Sequence, residues 1–196
     1  MKREEKLERT HKAILKTATK LFLNRGYAQT STRDIAKQIG ITQPALYHHF
    51  KDKEVLYLDV MNEHGTRVRQ EIQRVLRNKN LDIKQQLQEI TNVYLKLHPQ
   101  SVYSYYQEAR RQLSLSSRRK LDAIFTMDYI NPLAQYFAQD IVNLRPDVRP
   151  REAAELYLAE LQPLHGTVLS LGGHAVSPEQ RQRVLLDCIL NGFIAR

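Results

Sequence analysis

The amino-acid sequence predicts an all-α protein of about nine helices, divided into a small N-terminal part and a larger C-terminal part. Apolar residues recur three and four positions apart along most of the chain, which is the spacing of a helix face. The division follows from charge: residues 1–53 hold 12 Lys and Arg against 5 Asp and Glu, whereas the remainder holds 18 against 16. The predicted domains are residues 1–52 and 53–196, and the basic one is expected to meet a polyanion.

Composition and motifs exclude several classes of protein. Hydrophobic residues make up 42% of the chain and charged residues 26%, without an apolar run long enough to cross a bilayer. The charged N-terminus lacks the apolar core of a secretory signal, so we expect a cytoplasmic protein without a membrane partner. Neither the seven histidines nor the carboxylates show catalytic or metal-ligand spacing, so no enzyme, metal or cofactor is predicted. The single cysteine, Cys188, lies in an apolar stretch and is expected to be buried.

Residues 3–24 predict an amphipathic first helix. One arc is apolar, with Leu7, Ile14, Leu15, Ala18, Leu21 and Phe22, and the opposite arc is basic, with Arg9, Lys12, Lys16 and Lys20. The basic arc is either a solvated face or a surface near phosphates. Gly26 followed by Tyr27 ends the helix.

Two short helices joined by a tight turn come next. Ser31 and Asp34 resemble a capping box that starts the second helix at about Thr32. Gly40 ends that helix, and Thr42 is the predicted N-cap of the third. The spacing predicts a helix-turn-helix.

The third helix has an apolar side and a polar side. Leu46 and Phe50 are four residues apart and are expected to point inward. The outward positions are Gln43, Ala45, His48 and His49, with Tyr47 at the border. Amide, phenol and imidazole groups suit hydrogen bonds to base edges and phosphates. The alternatives are a core tyrosine at Tyr47 and a surface histidine without a task at His49.

This part of the chain resembles the TetR-like bacterial transcriptional regulators. The resemblance rests on Phe22, Gly26-Tyr27, the run from Thr30 to Ala36, Gly40-Ile41-Thr42 and the run from Leu46 to Leu56. It covers about the first quarter of the chain and implies an N-terminal helix-turn-helix domain followed by a larger helical domain that binds ligand and dimerises.

The resemblance also implies the DNA contacts. Thr32 and Arg33 correspond to backbone and base contacts, and Gln43 and Pro44 to positions that face bases. Ala45 stands where the tetracycline repressor itself has a threonine, so that hydroxyl contact is lost. Tyr47 and His49 correspond to phosphate contacts, and Lys53 corresponds to a clamp on the DNA backbone. His48 lies outward, which predicts a base contact.

Helix four is predicted from Lys53 to Leu76 and is expected to be the only bridge to the C-terminal part. The arginines along its far half, Arg67, Arg69, Arg74 and Arg77, are interpreted as a solvated face. Helix five is predicted over residues 81–97 and helix six over 101–113.

Helix seven is predicted over residues 116–143, with a kink near Met127–Asp128 caused by Pro132. Asp128 lies on its apolar face and contacts either a cationic or hydroxylated ligand or an internal partner such as Arg110 or Arg111. The predicted ligand site comprises Tyr94, Tyr106, Phe125, Asp128 and Tyr129.

The last two helices are predicted to form a dimer interface. One spans residues 151–171, and the other starts at Pro178 and is apolar nearly all round from Val184. The expected interface residues are Leu156, Tyr157, Leu161, Leu164, Val168, Leu185, Ile189 and Phe193. The predicted function is a repressor that binds a palindromic double-stranded DNA operator as a homodimer and is released by a small-molecule effector. The alternatives are a DNA-binding protein of the same fold without a ligand, an activator and, remotely, a cavity enzyme.

Overall fold

The computed structural model describes residues 3–165, 170–171 and 174–193. The α-helices in these ranges are α1 (Arg3–Arg25), α2 (Thr32–Ile39), α3 (Gln43–Tyr47), α4 (Lys53–Arg77), α5 (Ile83–Leu97), α6 (Val102–Gln112), α7 (Leu115–Phe125), α8 (Asn131–Phe137), α9 (Pro150–Glu160) and α10 (Pro178–Phe193). A π-helical turn, Thr126–Ile130, joins α7 to α8 into one bent helix. The all-α class is confirmed, and the described ranges hold nine helices when the bent helix counts as one.

The chain forms two compact units that differ from the predicted domains in their extent. The first unit comprises residues 1–65 and 105–124, and the second comprises residues 66–104 and 125–196. Helices α4, α6 and α7 each begin in one unit and end in the other. Helix α4 is therefore not the only connection along the chain, contrary to the expectation from sequence.

The core of the first unit contains both residues predicted to point inward from α3. Leu46 is fully buried and Phe50 nearly so. The Phe22 ring meets the Tyr57 ring edge-on at 5.0 Å between centroids, and Tyr57 also contacts Tyr27. This packing joins α1 to α4 and gives the short helices α2 and α3 a fixed support.

The predicted kink occurs as a π-helical turn. The N–H of Asn131 donates to the carbonyl of Thr126, five residues back. Pro132 lacks an amide donor, so the regular pattern cannot continue through it. Helix α8 ends at Phe137, six residues before the predicted end at 143.

Helix α9 is shorter than the sequence analysis predicts. The helix expected to run to Leu171 ends at Glu160 and is followed by a 3-10 turn, Gln162–His165. Pro163 explains the stop because it lacks an amide donor and disfavours helical geometry at the residue before it. Beyond it, Ser170–Leu171 and His174–Ala175 pair as short antiparallel strands.

Helix α10 begins at the predicted proline and buries only part of its apolar surface. Leu186, Ile189 and Leu190 are buried, whereas Val184 and Cys188 are exposed. The prediction of a buried Cys188 is wrong for the single chain, because the apolar residues around it do not all face one core. None of the described helices is both long and apolar enough to span a bilayer.

Candidate nucleic-acid interface and effector site

Helix α2 is defined by bonds at both ends. The Ser31 hydroxyl accepts from the Asp34 amide, and the Asp34 carboxylate accepts from the Ser31 amide, so the predicted capping box is present. At the other end Gly40 has a φ of 72°, and the Ile41 amide donates to the Ala36 carbonyl at 3.0 Å. This left-handed stop reverses the chain within a few residues and sets the angle at which α3 begins.

The polar side of α3 is organised by a three-residue network. The Gln43 amide nitrogen donates to the Thr32 hydroxyl at 3.0 Å and lies 3.5 Å from the Tyr47 hydroxyl. The Thr32 and Tyr47 hydroxyls are themselves 3.1 Å apart. The Tyr47 side chain is 43% exposed, so it is not a core tyrosine. Three of the predicted DNA contacts are thereby held together where α2 meets α3.

The other predicted positions lie around this network. Arg33, Pro44 and His48 are exposed, and Ala45 is half-buried. The His49 ring is also half-buried and lies 5.9 Å from the His11 ring of α1. Burial lowers the pKa of His49, and the charges of His11 and His48 lower it further. A neutral imidazole is favoured, so His49 is suited to donate a hydrogen bond rather than supply a charge.

Lys53 lies at the first residue of α4 against an aromatic ring. Its Nζ is 4.0 Å from the centroid of the Tyr27 ring, which places the ammonium over the face of the phenol. Burial lowers the pKa of Lys53, and the charge of Glu108 opposes that effect. The ring fixes the direction of a long side chain that would otherwise be mobile.

We expect Lys53→Ala to weaken binding to all DNA sequences alike and to reduce the slope of log affinity against log salt by about one unit, as for loss of one phosphate contact. Titrations of specific and random duplexes at several salt concentrations measure both effects. Lys96→Ala, at an exposed lysine of α5, is the matched control. An unchanged salt slope with an altered base preference would contradict this assignment.

Four of the five predicted ligand residues gather in the second unit. Tyr94, Phe125, Asp128 and Tyr129 are buried there. The Tyr94 hydroxyl donates to the Tyr129 carbonyl at 3.1 Å, and the Phe125 and Tyr129 rings stack with centroids 5.2 Å apart. Tyr106 belongs to the first unit, where its hydroxyl donates to Asp122 at 2.7 Å.

Asp128 is paired with an arginine that the sequence analysis placed on a solvated face. The Asp128 side chain is 5% exposed, and its Oδ1 lies 3.3 Å from a guanidinium nitrogen of Arg69 on α4. Arg110, an expected partner, instead pairs with Asp122 at 2.8 Å. Burial raises the pKa of Asp128, and the charge of Arg69 opposes the rise. The internal partner of Asp128 is therefore Arg69, a half-buried arginine of α4 that points toward the π-helical turn.

Sequence reasoning misses two side chains of α6 that contact the turn after α1. The Tyr105 hydroxyl donates to the Asn24 carbonyl at 3.1 Å, and the Glu108 carboxylate accepts from the amides of Tyr27 and Ala28. These residues lie about 80 positions beyond their partners along the chain. No local pattern marks such contacts.

Residues 14–60 match the family described as bacterial regulatory proteins, tetR family. The matched range contains the capping box, the left-handed stop at Gly40 and the network of Thr32, Gln43 and Tyr47. These residues belong to the TetR family. The family identified from the sequence is thus confirmed on the segment that carries the resemblance.

Relatives match this TetR-family segment in sequence and the whole chain in fold. The uncharacterized HTH-type transcriptional regulator YuxN of Bacillus subtilis is 44% identical over 62 residues, which cover 32% of this chain and 19% of that protein. This chain thus aligns with about a fifth of that relative's length. A TetR-family regulator from Agrobacterium tumefaciens has a TM-score of 0.73 at 20% identity, covering 96% of this chain and 100% of the other.

A second solved structure is AibR in complex with isovaleryl coenzyme A and operator DNA. Its TM-score is 0.63 at 24% identity, with 93% of this chain and 96% of the other covered. At these identities the likenesses establish the fold. The fold shared with these structures therefore includes the C-terminal helices, where the sequence itself carries no motif.

The predicted dimer residues differ in exposure. Tyr157, Leu161 and Ile189 are buried within their own chain, which leaves them little surface for a partner. Leu156 is 50% exposed, and Leu164 and Leu185 are half-buried. Val168 and the Phe193 side chain lie outside the described residues.

Proposed function

We propose that the protein is a transcriptional regulator that binds a palindromic DNA operator as a homodimer, represses transcription and is released by a small-molecule effector. The observation that carries the proposal is the network of the buried Thr32, the half-buried Gln43 and the exposed Tyr47 at the junction of α2 and α3. It lies in the part of the chain that holds most of the excess positive charge.

In this proposal α3 enters the major groove and Gln43 reads a base edge. Its hydrogen bond to Thr32 restrains the side chain before DNA is bound, so less rotamer freedom is lost on binding. Helix α3 has only five residues, and the other proposed base contacts come from Pro44 and Ala45 within it and from His48 directly after it. In the proposed complex Tyr47 and His49 donate hydrogen bonds to phosphates.

The homodimer is proposed because apolar side chains remain uncovered on α9 and α10. Leu156 is 50% exposed and Val184 is 39% exposed. A partner copy that covers them by two-fold symmetry presents two copies of α3 to successive major grooves, which requires an operator with inverted half-sites.

The effector is proposed to bind beside Asp128. This carboxylate is buried at a π-helical turn and has Arg69 as its charged partner at 3.3 Å. Turns of this kind interrupt the helix ladder and are frequent at functional sites. A cationic or hydroxylated molecule would compete with Arg69 for the carboxylate. That AibR was crystallised with both an acyl coenzyme A and operator DNA supports a fold that binds both kinds of ligand.

Selection of duplexes from a random pool by the purified protein tests the DNA-binding proposal. We expect enrichment of an inverted repeat whose half-sites are centred about 10 base pairs, or a multiple, apart. Arg33→Glu reverses an exposed charge at the start of α2 and is expected to abolish enrichment. Arg67→Glu makes the same charge change on the second unit and is the control. Absence of any enriched motif with the unaltered protein would contradict the proposal.

A further inference from the structure

We propose that Glu108 of α6 is a positioning residue for DNA recognition. It holds the turn between α1 and α2 and thereby sets the position of the start of α2, which carries the buried Thr32 and the exposed Arg33. The inference rests on the proposed DNA-binding function, and it gives α6 a part in DNA recognition.

The Glu108 carboxylate caps this turn with both oxygens. One oxygen accepts from the Tyr27 amide at 3.2 Å, and the other accepts from the Ala28 amide at 2.9 Å. The Gln112 side chain, one helical turn further along α6, donates to Glu108 at 2.9 Å and orients it. Bonds from backbone amides to an ionised carboxylate are stronger than bonds between neutral groups. A partly exposed turn is thus held by a charged side chain from a helix distant in sequence.

Gly26 permits the close approach of α6 to the turn. Its φ is 78°, and a Cβ at this position would lie 3.0 Å from Glu108 Oε2 and 3.7 Å from the Tyr105 ring. A side chain would therefore be strained by its backbone and would also press on the carboxylate. The Tyr105 hydroxyl adds a second bond, to the last turn of α1 at Asn24.

Hydrogen bonds continue from the held turn to the start of α2. The Thr30 hydroxyl donates to the Gly26 carbonyl at 2.9 Å, and the Thr30 amide donates to the Tyr27 carbonyl at 3.4 Å. The next residue, Ser31, is the N-cap of α2. The chain between Gly26 and Thr32 has little freedom to absorb a movement, so displacement of Glu108 displaces the N-terminus of α2.

The segment between α6 and α7 also holds the start of α4. The amide and hydroxyl of Ser114 donate to the two carboxylate oxygens of Glu54 at 2.9 and 2.6 Å. Glu54 directly follows Lys53, the proposed backbone clamp. Helix α6 ends at Gln112 and Ser114 follows two residues later, so a shift of α6 along its axis acts on the turn before α2 through Glu108 and, through this short segment, on the start of α4.

The test compares Glu108→Ala with Glu63→Ala in the full chain. Both remove one negative charge from the first unit, and Glu63 is an exposed residue of α4. Loss of a negative charge by itself favours binding to DNA. We expect Glu63→Ala to bind the selected operator at least as tightly as the unaltered protein, and Glu108→Ala to bind it about tenfold more weakly, as for loss of a charged hydrogen bond.

Hydrogen exchange at the amides of Tyr27 and Ala28 gives a readout independent of DNA. Exchange is expected to accelerate in Glu108→Ala and to remain unchanged in Glu63→Ala. Glu108→Gln keeps one acceptor oxygen, so its exchange rates should lie between those of Glu108→Ala and Glu63→Ala. Tyr105→Phe removes only the hydrogen bond to Asn24 and is the milder variant to use if Glu108→Ala folds poorly.

A double-mutant cycle with Arg33→Ala separates positioning from general destabilisation. If Glu108 acts by placing α2, its loss costs less affinity once Arg33 has been removed. Additive losses, or faster amide exchange without weaker operator binding, would overturn the inference. Failure of the unaltered protein to bind DNA would instead contradict the proposed function, and this inference would fail with it, although the exchange data would still report the bond.

Discussion

Replacing Gln43 with alanine is expected to relax the base preference at one position of each half-site by about 1–3 kcal/mol. In the proposed role the Gln43 amide reads a base edge, and its hydrogen bonds to Thr32 and Tyr47 hold it in position before DNA is bound. The measurement is the affinity of the variant for the selected operator and for duplexes with each single substitution. The loss should be concentrated at one base pair per half-site, and binding to random DNA should change little.

Gln70→Ala is the matched control, because Gln70 is an exposed glutamine of α4 in the second unit. Gln43→Glu adds a second comparison, since it keeps the length of the side chain but loses the donors that reach Thr32 and Tyr47. An equal loss of affinity by Gln43→Ala on the operator and on random DNA would contradict the assigned role of base reading.

Substitutions of Asp128 and of its partner Arg69 are expected to change the stability of the protein in opposite directions. Burial raises the pKa of Asp128 above its ordinary 3.8. At pH values between the ordinary pKa and the raised pKa, the folded state holds the Asp128 proton more tightly than the unfolded state. The free energy of unfolding therefore falls as pH rises through the raised pKa. Asp128→Asn removes this loss and is expected to stabilise the protein at pH 7, because the Arg69 charge that it leaves behind is 32% exposed and stays solvated.

Arg69→Met is expected to destabilise the protein by about 1–3 kcal/mol at pH 7, because it leaves the Asp128 carboxylate without its counter-charge. The lower part of this range is favoured, since the Arg69 side chain is 32% exposed and water screens the pair. The loss should recover as pH falls and the carboxylate gains a proton. Urea unfolding at several pH values measures both variants.

The partly exposed pair of Arg110 and Asp122 is the control for this prediction. Their side chains are 41% and 34% exposed, and Asp122→Asn is expected to change stability by no more than about 1 kcal/mol. Destabilisation of similar size by Asp128→Asn and Arg69→Met would contradict the opposite signs. A more stable Asp128→Asn protein that no longer responds to effector would indicate a residue kept for function at a cost in stability.

Several features of the fold could be predicted because their causes are local in the chain. The capping box at Ser31 and Asp34 and the left-handed stop at Gly40 each depend on residues a few positions apart. The kink before Pro132 likewise follows from one missing amide donor. The end of α9 has a local cause as well, because Pro163 stops the helix at Glu160. The predicted extension to Leu171 overlooks this proline.

The sequence by itself determined that this chain begins with a helix-turn-helix of the TetR family, because helix period, caps and turn residues all act within about one helical turn. Only the tertiary structure decided that Asp128 pairs with Arg69 and that Glu108 holds the turn before α2. Those partners are separated by tens of residues, and a charged side chain carries no local mark of the group it will meet. The packing of distant helices selects that group.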